Sequence, residues 1–269
     1  MKKSKIAGLI LANPIFSLKK GMREVQERYY ANKCKNTYGI SQLPTIDIMD
    51  LFDGFDETIK NYTYLNGTSS VMDLMLLKRL ARNYEACTYM EIGSWRGESI
   101  SNVADVAKKC VSVSLSAKEM LDMGFDQKFV DVHAIFYKDY PNVEKVEANS
   151  HHFDFGSLNE QFDLIFVDGD HSYEGVENDT RKVFPLRKDS KSVIVWHDYG
   201  YNSEDVRASV LCGILDGIPK EKHKNLYHVS NTMCAVYIED LNIPTSKTVF
   251  PTFPNKTFNV TVKAERFQK

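Results

Sequence analysis

The spacing of apolar residues changes period several times along the chain, and each change marks an element. Residues 17 to about 36 hold Leu18, Met22, Val25, Tyr29 and Tyr30 among helix formers of mixed charge, which predicts a helix. Residues 37 to 66 are rich in turn formers, with Pro44 and Gly54, and read as a loose connector. At Thr68-Ser69-Ser70 the character shifts. These polar residues suit the start of a helix over Val71 to Asn83, with Met72, Met75, Leu76 and Leu80 at helical spacing.

The central part then alternates. Short apolar runs predict strands at Thr88–Ile92, Val111–Leu115, Val143–Ala148, Phe162–Val167 and Ser192–Trp196. Between them lie amphipathic stretches predicted helical at Glu98 to Lys109, at Tyr173 to Phe184 (stopped by Pro185) and, after the last of these strands, at Glu204 to Leu215. Leu226–Val229 and Cys234–Ile238 fit a closing antiparallel pair. Strands and helices in this order mean a doubly wound α/β sheet, Rossmann-like, mostly parallel with an antiparallel closing strand. The expected organisation is an N-terminal helical extension and connector over 1–65, the α/β domain over 66–240, and a tail over 241–269.

Composition narrows the function classes. At 269 residues, 43% hydrophobic and 26% charged, the chain is long enough for a full core and is neither disordered, collagen-like nor a membrane bundle. Its 34 Lys+Arg against 36 Asp+Glu leave a net charge of −2, so there is no bulk basic field and no nucleic acid partner is expected. Five scattered cysteines without a CxxC argue against a zinc site or a disulfide framework and for a reducing cytoplasm. Near the N-terminus, Met1–Lys5 and the apolar run Ile6–Phe16 have the look of a signal peptide. However, Asn13 and Pro14 interrupt the run and no small-x-small site precedes Lys19-Lys20. A packing or membrane-surface segment is the better reading, without stable membrane insertion.

Two motifs carry chemistry. In Glu91-Ile-Gly-Ser-Trp-Arg-Gly-Glu-Ser99 a strand runs into a glycine turn and then a helix. Gly93 allows close backbone approach, Gly97 allows the turn to pack at the helix start, and the free N–H groups there favour an anionic group. Ser99 can donate, and Glu91 can accept from an ammonium, so the turn suits a ligand bearing carboxylate and amine. The GxxxG spacing is not the dinucleotide fingerprint GxGxxG. The second motif is Asp168-Gly-Asp-His-Ser-Tyr173 with His197-Asp198, each directly after an apolar strand. At the carboxyl ends of neighbouring strands, Asp168, Asp170, His171, His197 and Asp198 should converge. Carboxylates and imidazole are ligands for a divalent cation, and carboxylates clustered without one repel each other. Helix capping by Asp170 or Ser172 explains any one of these residues, but not DGDH together with a later HD.

These residues resemble the class I S-adenosylmethionine-dependent methyltransferases over about 66 to 240. ExGxxxGxS is similar to the metal-dependent catechol and caffeoyl-coenzyme A O-methyltransferases, and the histidine of DGDH to the macrolide sugar O-methyltransferases. The resemblance implies S-adenosyl-L-methionine held by Glu91, Gly93, Ser94, Gly97 and Ser99, with Asn149, Ser150 and Asp170 also toward the cofactor. Where the family has an acidic residue gripping the ribose, this chain has Ser114. The implied cation, Mg²⁺ or Mn²⁺, would be held by Asp168, His197 and Asp198, with His171 as general base. His197 departs from the family's carboxylate and shifts preference toward softer ions such as Mn²⁺ or Fe²⁺. The expected activity is O-methylation of a sugar or other polyhydroxylated small molecule. Alternatives are a metal-independent methyltransferase, a non-catalytic S-adenosylmethionine-binding protein of the same fold, and a metal-dependent hydrolase or hydroxylase-like protein, which would not need the glycine turn. His151 and His152 read as surface residues, and Trp95 and Trp196 as pocket walls or core. The acceptor and the oligomeric state stay open, a homo-oligomer being compatible with the sequence.

Overall fold

The computed structural model describes residues 14–266. The apolar run Ile6–Phe16 falls almost wholly outside them.

A first helix, α1 (Pro14–Tyr38), leads to a two-residue strand β1 (Thr45–Ile46) and a single turn α2 (Ile48–Leu51). Helix α3 (Val71–Arg82) starts where the serines predict. Ser70 accepts from the Asp73 backbone N–H and Asp73 accepts from the Ser70 N–H, a reciprocal cap. The central alternation follows: β2 (Thr88–Ile92), α4 (Glu98–Ala104), β3 (Lys109–Ser114), short helices α5 (Ala117–Asp122) and α6 (Gln127–Asp131), β4 (Val143–Glu147), β5 (Leu164–Val167), α7 (Tyr173–Val183) and β6 (Val193–Trp196). After β6 come a hairpin β7 (Gly200–Asn202) and β8 (Asp205–Val206), helix α8 (Ala208–Gly217), β9 (Leu226–Val229), β10 (Ala235–Tyr237) and an edge pair of residues β11 (Thr245–Ser246).

The strands form one nine-membered sheet in the order β11-β1-β9-β10-β6-β5-β2-β3-β4, with β7 and β8 apart from it. From β6 to β4 all neighbours are parallel, and β10 runs antiparallel between β6 and β9. The doubly wound, mostly parallel sheet with an antiparallel closing strand is therefore present. Residues alternate between two cores: Ile165, Val167, Ile194 and Trp196 face α7 and α8 with Tyr30 and Cys34 of α1, whereas Leu164, Phe166, Val193 and Val195 face α3 and α4. Burial on both faces makes each central strand a continuous apolar run, every fully buried large side chain contributing about 1.5–3 kcal/mol.

Three boundaries differ from the sequence reading. The helix expected over Glu98 to Lys109 ends at Ala104, because the Val106 and Ala107 N–H groups turn back onto the Val103 carbonyl and Lys109 already opens β3. The helix expected from Glu204 starts at Ala208: the Arg207 N–H donates to the Tyr199 carbonyl, folding 200–206 into a hairpin. The connector and the tail also supply β1 and β11, which pair antiparallel at the sheet edge. Two-residue strands carry no readable period.

Candidate functional site

Both motifs lie at the carboxyl edge of the parallel strands. Strand β2 sits between β3 and β5, where the chain order reverses, the place at which open α/β sheets leave a crevice. The glycine turn leaves β2 here and the DGDH loop leaves β5 beside it. Gly93 has φ +92°, and a Cβ on it would stand 2.2 Å from the Asp168 carbonyl oxygen. The close approach that Gly93 permits is thus to the neighbouring loop.

The polar side chains of the turn face inward. Glu91 is fully buried, accepting from Tyr89 Oη at 2.5 Å and Ser99 Oγ at 2.7 Å. Burial pushes its carboxyl up to about 7, against the two hydroxyl donors and with help from the Asp168 charge. Ser94 Oγ lies 2.7 Å from Ser112 Oγ, which is 2.9 Å from Tyr137 Oη. Gly97 opens α4 in the left-handed region. On the outer side, Glu98 accepts from the Thr63 and Thr68 hydroxyls and from Arg96 Nε, tying the connector to the turn. Trp95 stacks on Phe129, ring centroids 4.7 Å apart, and abuts Gly67; Trp196 is core, its Nε1 donating to Thr180 Oγ1 at 2.8 Å.

Ser114 ends β3, half-buried, its carbonyl accepting from Ala148 N at 2.8 Å. Asn149 and Ser150 follow β4, half-buried, with Lys182 Nζ donating to the Ser150 carbonyl. Asp170 is exposed and accepts from the Ser172 N–H and hydroxyl, while Ser172 caps α7 by accepting from Gly175 N. His151, read as a surface residue, stands with Nε2 3.8 Å from Asp170 Oδ2, so the loops after β4 and β5 meet.

The acidic strand ends form the tightest cluster. One donor atom each from Asp168, His197 and Asp198 lie within 4.8 Å of one another. His197 Nδ1 is 3.0 Å from Asp168 Oδ1 and 3.7 Å from Asp198 Oδ2, and His197 Nε2 is 3.2 Å from Asp73 Oδ2. Burial alone would lower the His197 pKa, but the carboxylates of Asp168, Asp198 and Asp73 outweigh it and hold it well above the ordinary imidazole value. Burial would raise Asp198, yet His197, with His171 and Arg207 adding charge, brings it down to about 2. Asp198 has φ +56°, which turns its carboxylate back toward His171, whose Nδ1 is 3.1 Å from Asp198 Oδ2. Arg207 Nη1 reaches the same oxygen at 3.5 Å. The donor set of one imidazole and two carboxylates, gathered at the ends of neighbouring strands, fits a divalent cation.

Sequence reasoning missed Asp73 and Arg207. Asp73 lay unremarked in the first turn of the helix expected from Val71, and Arg207 fell inside an expected helix.

Residues 90–199 match the family model described as a methyltransferase domain. No curated protein matches the chain in sequence. Among solved structures it is similar to the O-methyltransferase from Bacillus cereus in complex with S-adenosylhomocysteine, at 16% identity and a TM-score of 0.44 over 65% of this chain and 84% of that one. It is also similar to the S-adenosylhomocysteine-bound Podospora anserina methyltransferase PaMTH1, at 18% identity and a TM-score of 0.44 over 64% and 80%. A further similar structure is the TDP-rhamnose 3'-O-methyltransferase of calicheamicin biosynthesis, at 13% identity and a TM-score of 0.40 over 63% and 78%. The methyltransferase-domain match spans residues 90–199, the stretch that holds both the glycine turn and the acidic strand ends.

Proposed function

We propose that the protein is a metal-dependent O-methyltransferase that transfers the methyl group of S-adenosyl-L-methionine to a hydroxyl of a sugar or related polyhydroxylated small molecule. One observation carries the reading: the donor atoms of Asp168, His197 and Asp198 lie within 4.8 Å of each other, with His171 3.1 Å from the last. Asp168, His197 and Asp198 would hold the cation, and a bound divalent ion would lower the pKa of an acceptor hydroxyl and orient it.

This chain's own residues account for the rest. The turn 91–99, beside the DGDH loop, would hold the cofactor, with Ser114, Asn149, Ser150 and Asp170 toward its nucleoside end. His171 accepts the hydroxyl proton on Nε2, since its Nδ1 faces Asp198 and donates there. S-adenosyl-L-methionine held by the turn would supply an activated methyl group to the oxygen so freed, the C–O bond forming as the C–S bond breaks and S-adenosylhomocysteine leaving. Holding the two reactants in that geometry supplies much of the acceleration. The small-molecule acceptor would enter where Asp198, His171 and Arg207 meet. Among the described residues no helix is long and apolar enough to cross a membrane. The five cysteines are buried and unpaired with one another, which supports a reducing cytoplasm as compartment.

A specific feature supports a second reading. His197 stands among the carboxylates of Asp168, Asp198 and Asp73, which raise its pKa well above the ordinary imidazole value, so a protonated ring would put a positive charge at the place a cation would take. A metal-independent methyltransferase with His171 as base would use it so. Thermal-shift and calorimetric titration with S-adenosylhomocysteine, with and without Mg²⁺ or Mn²⁺, tests both. Binding of cofactor with cation-dependent stabilisation supports the first; cofactor binding and full activity in excess EDTA supports the second; no cofactor binding overturns both.

A further inference from the structure

The ring of His197 is held from outside the motif. Asp73, fully buried on α3, accepts four hydrogen bonds. Its Oδ2 takes the Ser70 N–H at 2.8 Å and faces His197 Nε2 at 3.2 Å; its Oδ1 takes the Met233 N–H at 2.8 Å and the Cys234 thiol at 3.5 Å. Two of these partners are backbone N–H groups, which can only donate. A carboxylate held by such donors is itself acceptor-only, so the ring nitrogen facing it carries the hydrogen. Phe166 closes another side of the ring, edge to face at 6.0 Å and 72°. The opposite nitrogen, Nδ1, therefore points at Asp168 and Asp198, 3.0 and 3.7 Å away.

We infer that Asp73 is the positioning residue of the cluster: by accepting the Nε2–H of His197 it fixes the ring's tautomer and aim so that the Nδ1 lone pair is the atom presented to a divalent cation. This rests on the metal-dependent reading above. The local architecture suits the task. Asp73 is anchored to its own helix start by Ser70 and to the approach of β10 by Met233, so it is tied to two rigid elements while reaching the loop after β6. An imidazole backed by a carboxylate is also a more basic ligand than one backed by water. His197 thereby takes a place where the resemblance implies a carboxylate. Coordination needs the Nδ1 lone pair, so any proton on that nitrogen passes to solvent as the cation binds. Asp73 touches neither cation nor substrate in this arrangement; it acts through His197.

Asp73→Asn keeps the shape and changes the polarity. With its NH₂ group at the Oδ2 position, it sets a donor against His197 Nε2 and the Ser70 N–H; with the group at the Oδ1 position, against the Met233 N–H. Ser70→Ala is the control, because it removes the hydroxyl that caps α3 and leaves Asp73 in place. Binding of Mn²⁺ to the full chain, followed by the electron paramagnetic resonance of free Mn²⁺, should weaken roughly 10- to 100-fold in Asp73→Asn. It should be unchanged in Ser70→Ala, although that variant melts lower. Asp73→Asn binding Mn²⁺ as wild type does, or Ser70→Ala losing as much affinity, overturns the assignment. Wild type failing to bind Mn²⁺ overturns the metal reading itself and this inference with it. Should Asp73→Asn not fold, the wild-type chain labelled with ¹⁵N-histidine and loaded with ¹¹³Cd²⁺ decides alone. The inference requires ¹¹³Cd coupling on His197 Nδ1 and a hydrogen on Nε2; the reverse pattern overturns it.

Discussion

Tyr137 fills the space that any side chain at position 97 would need: a Cβ on Gly97 would stand 2.0 Å from its Cδ1. The phenol reaches Ser112 Oγ, and the segment around it pairs with the turn, Ala134 N donating to the Trp95 carbonyl at 2.7 Å and Phe136 N to the Arg96 carbonyl at 3.0 Å. The glycine turn is thus braced by the region between β3 and β4, and its shape is a property of the fold before any ligand arrives.

Gly97→Ala should accordingly cost stability as well as cofactor binding. A non-glycine residue at φ +89° and an overpacked contact together cost roughly 2–5 kcal/mol. Urea denaturation should show the loss with the slope unchanged. A variant with the wild-type midpoint would mean that Tyr137 yields freely and the turn is not braced.

Glu91 should make stability depend on pH with the sign opposite to a salt-bridged carboxylate. Its folded pKa of about 7 exceeds its ordinary 4.5, so its contribution is fully present below about 4.5 and lost as pH rises through 7. The gap corresponds to about 3 kcal/mol. Glu91→Gln can still satisfy Tyr89 and Ser99, each of which donates or accepts. The stability of wild type relative to Glu91→Gln should fall by about that amount between pH 4.5 and 8. A difference that does not change with pH would show that Glu91 is ionised throughout.

The central strands were legible because parallel strands buried on both faces leave continuous apolar runs, and Phe162–Val167 and Ser192–Trp196 stand out on that ground alone. Gly93 was legible as a close approach, while its partner, the Asp168 carbonyl, belongs to the loop after β5, 75 residues on. The residues of the cluster could be placed at strand ends by the topology of the sheet. Their sharing of one imidazole, and the reach of Asp73 across 124 residues to His197, are tertiary facts that no local pattern encodes. The hairpin before α8 was hidden because Glu204 to Leu215 mimics a helical stretch; the hydrogen bond from Arg207 to Tyr199 decides against it.

Asp168→Ala should abolish stabilisation by the cation. At 100 times its Kd a ligand stabilises by about 2.7 kcal/mol, which a thermal scan resolves easily. Wild type should therefore melt higher with saturating Mn²⁺, and Asp168→Ala should melt equally with and without it. An equal Mn²⁺ shift in both proteins would place the cation elsewhere.

Under the proposed function His171 is the group that takes the proton. It leaves β5 three residues after Asp168, its side chain is 40% exposed, and Asp198 holds Nδ1 at 3.1 Å. With Nδ1 turned to Asp198, Nε2 is the nitrogen that would accept, and an oriented imidazole makes an effective base. A positioned base is worth about 10²- to 10⁴-fold, so His171→Ala should lower kcat by that factor while cofactor and Mn²⁺ affinities stay near wild type. The competing role is structural, the ring merely holding the loop against Asp198, and His171→Gln separates the two: its amide can donate to Asp198 but cannot accept a proton and release it in turn. If His171 is the base, His171→Gln should be as slow as His171→Ala, and the acidic limb of the kcat–pH profile should vanish in both. Should His171→Gln keep most of the rate and the same limb, the proton goes elsewhere, and His171 serves the loop rather than the reaction.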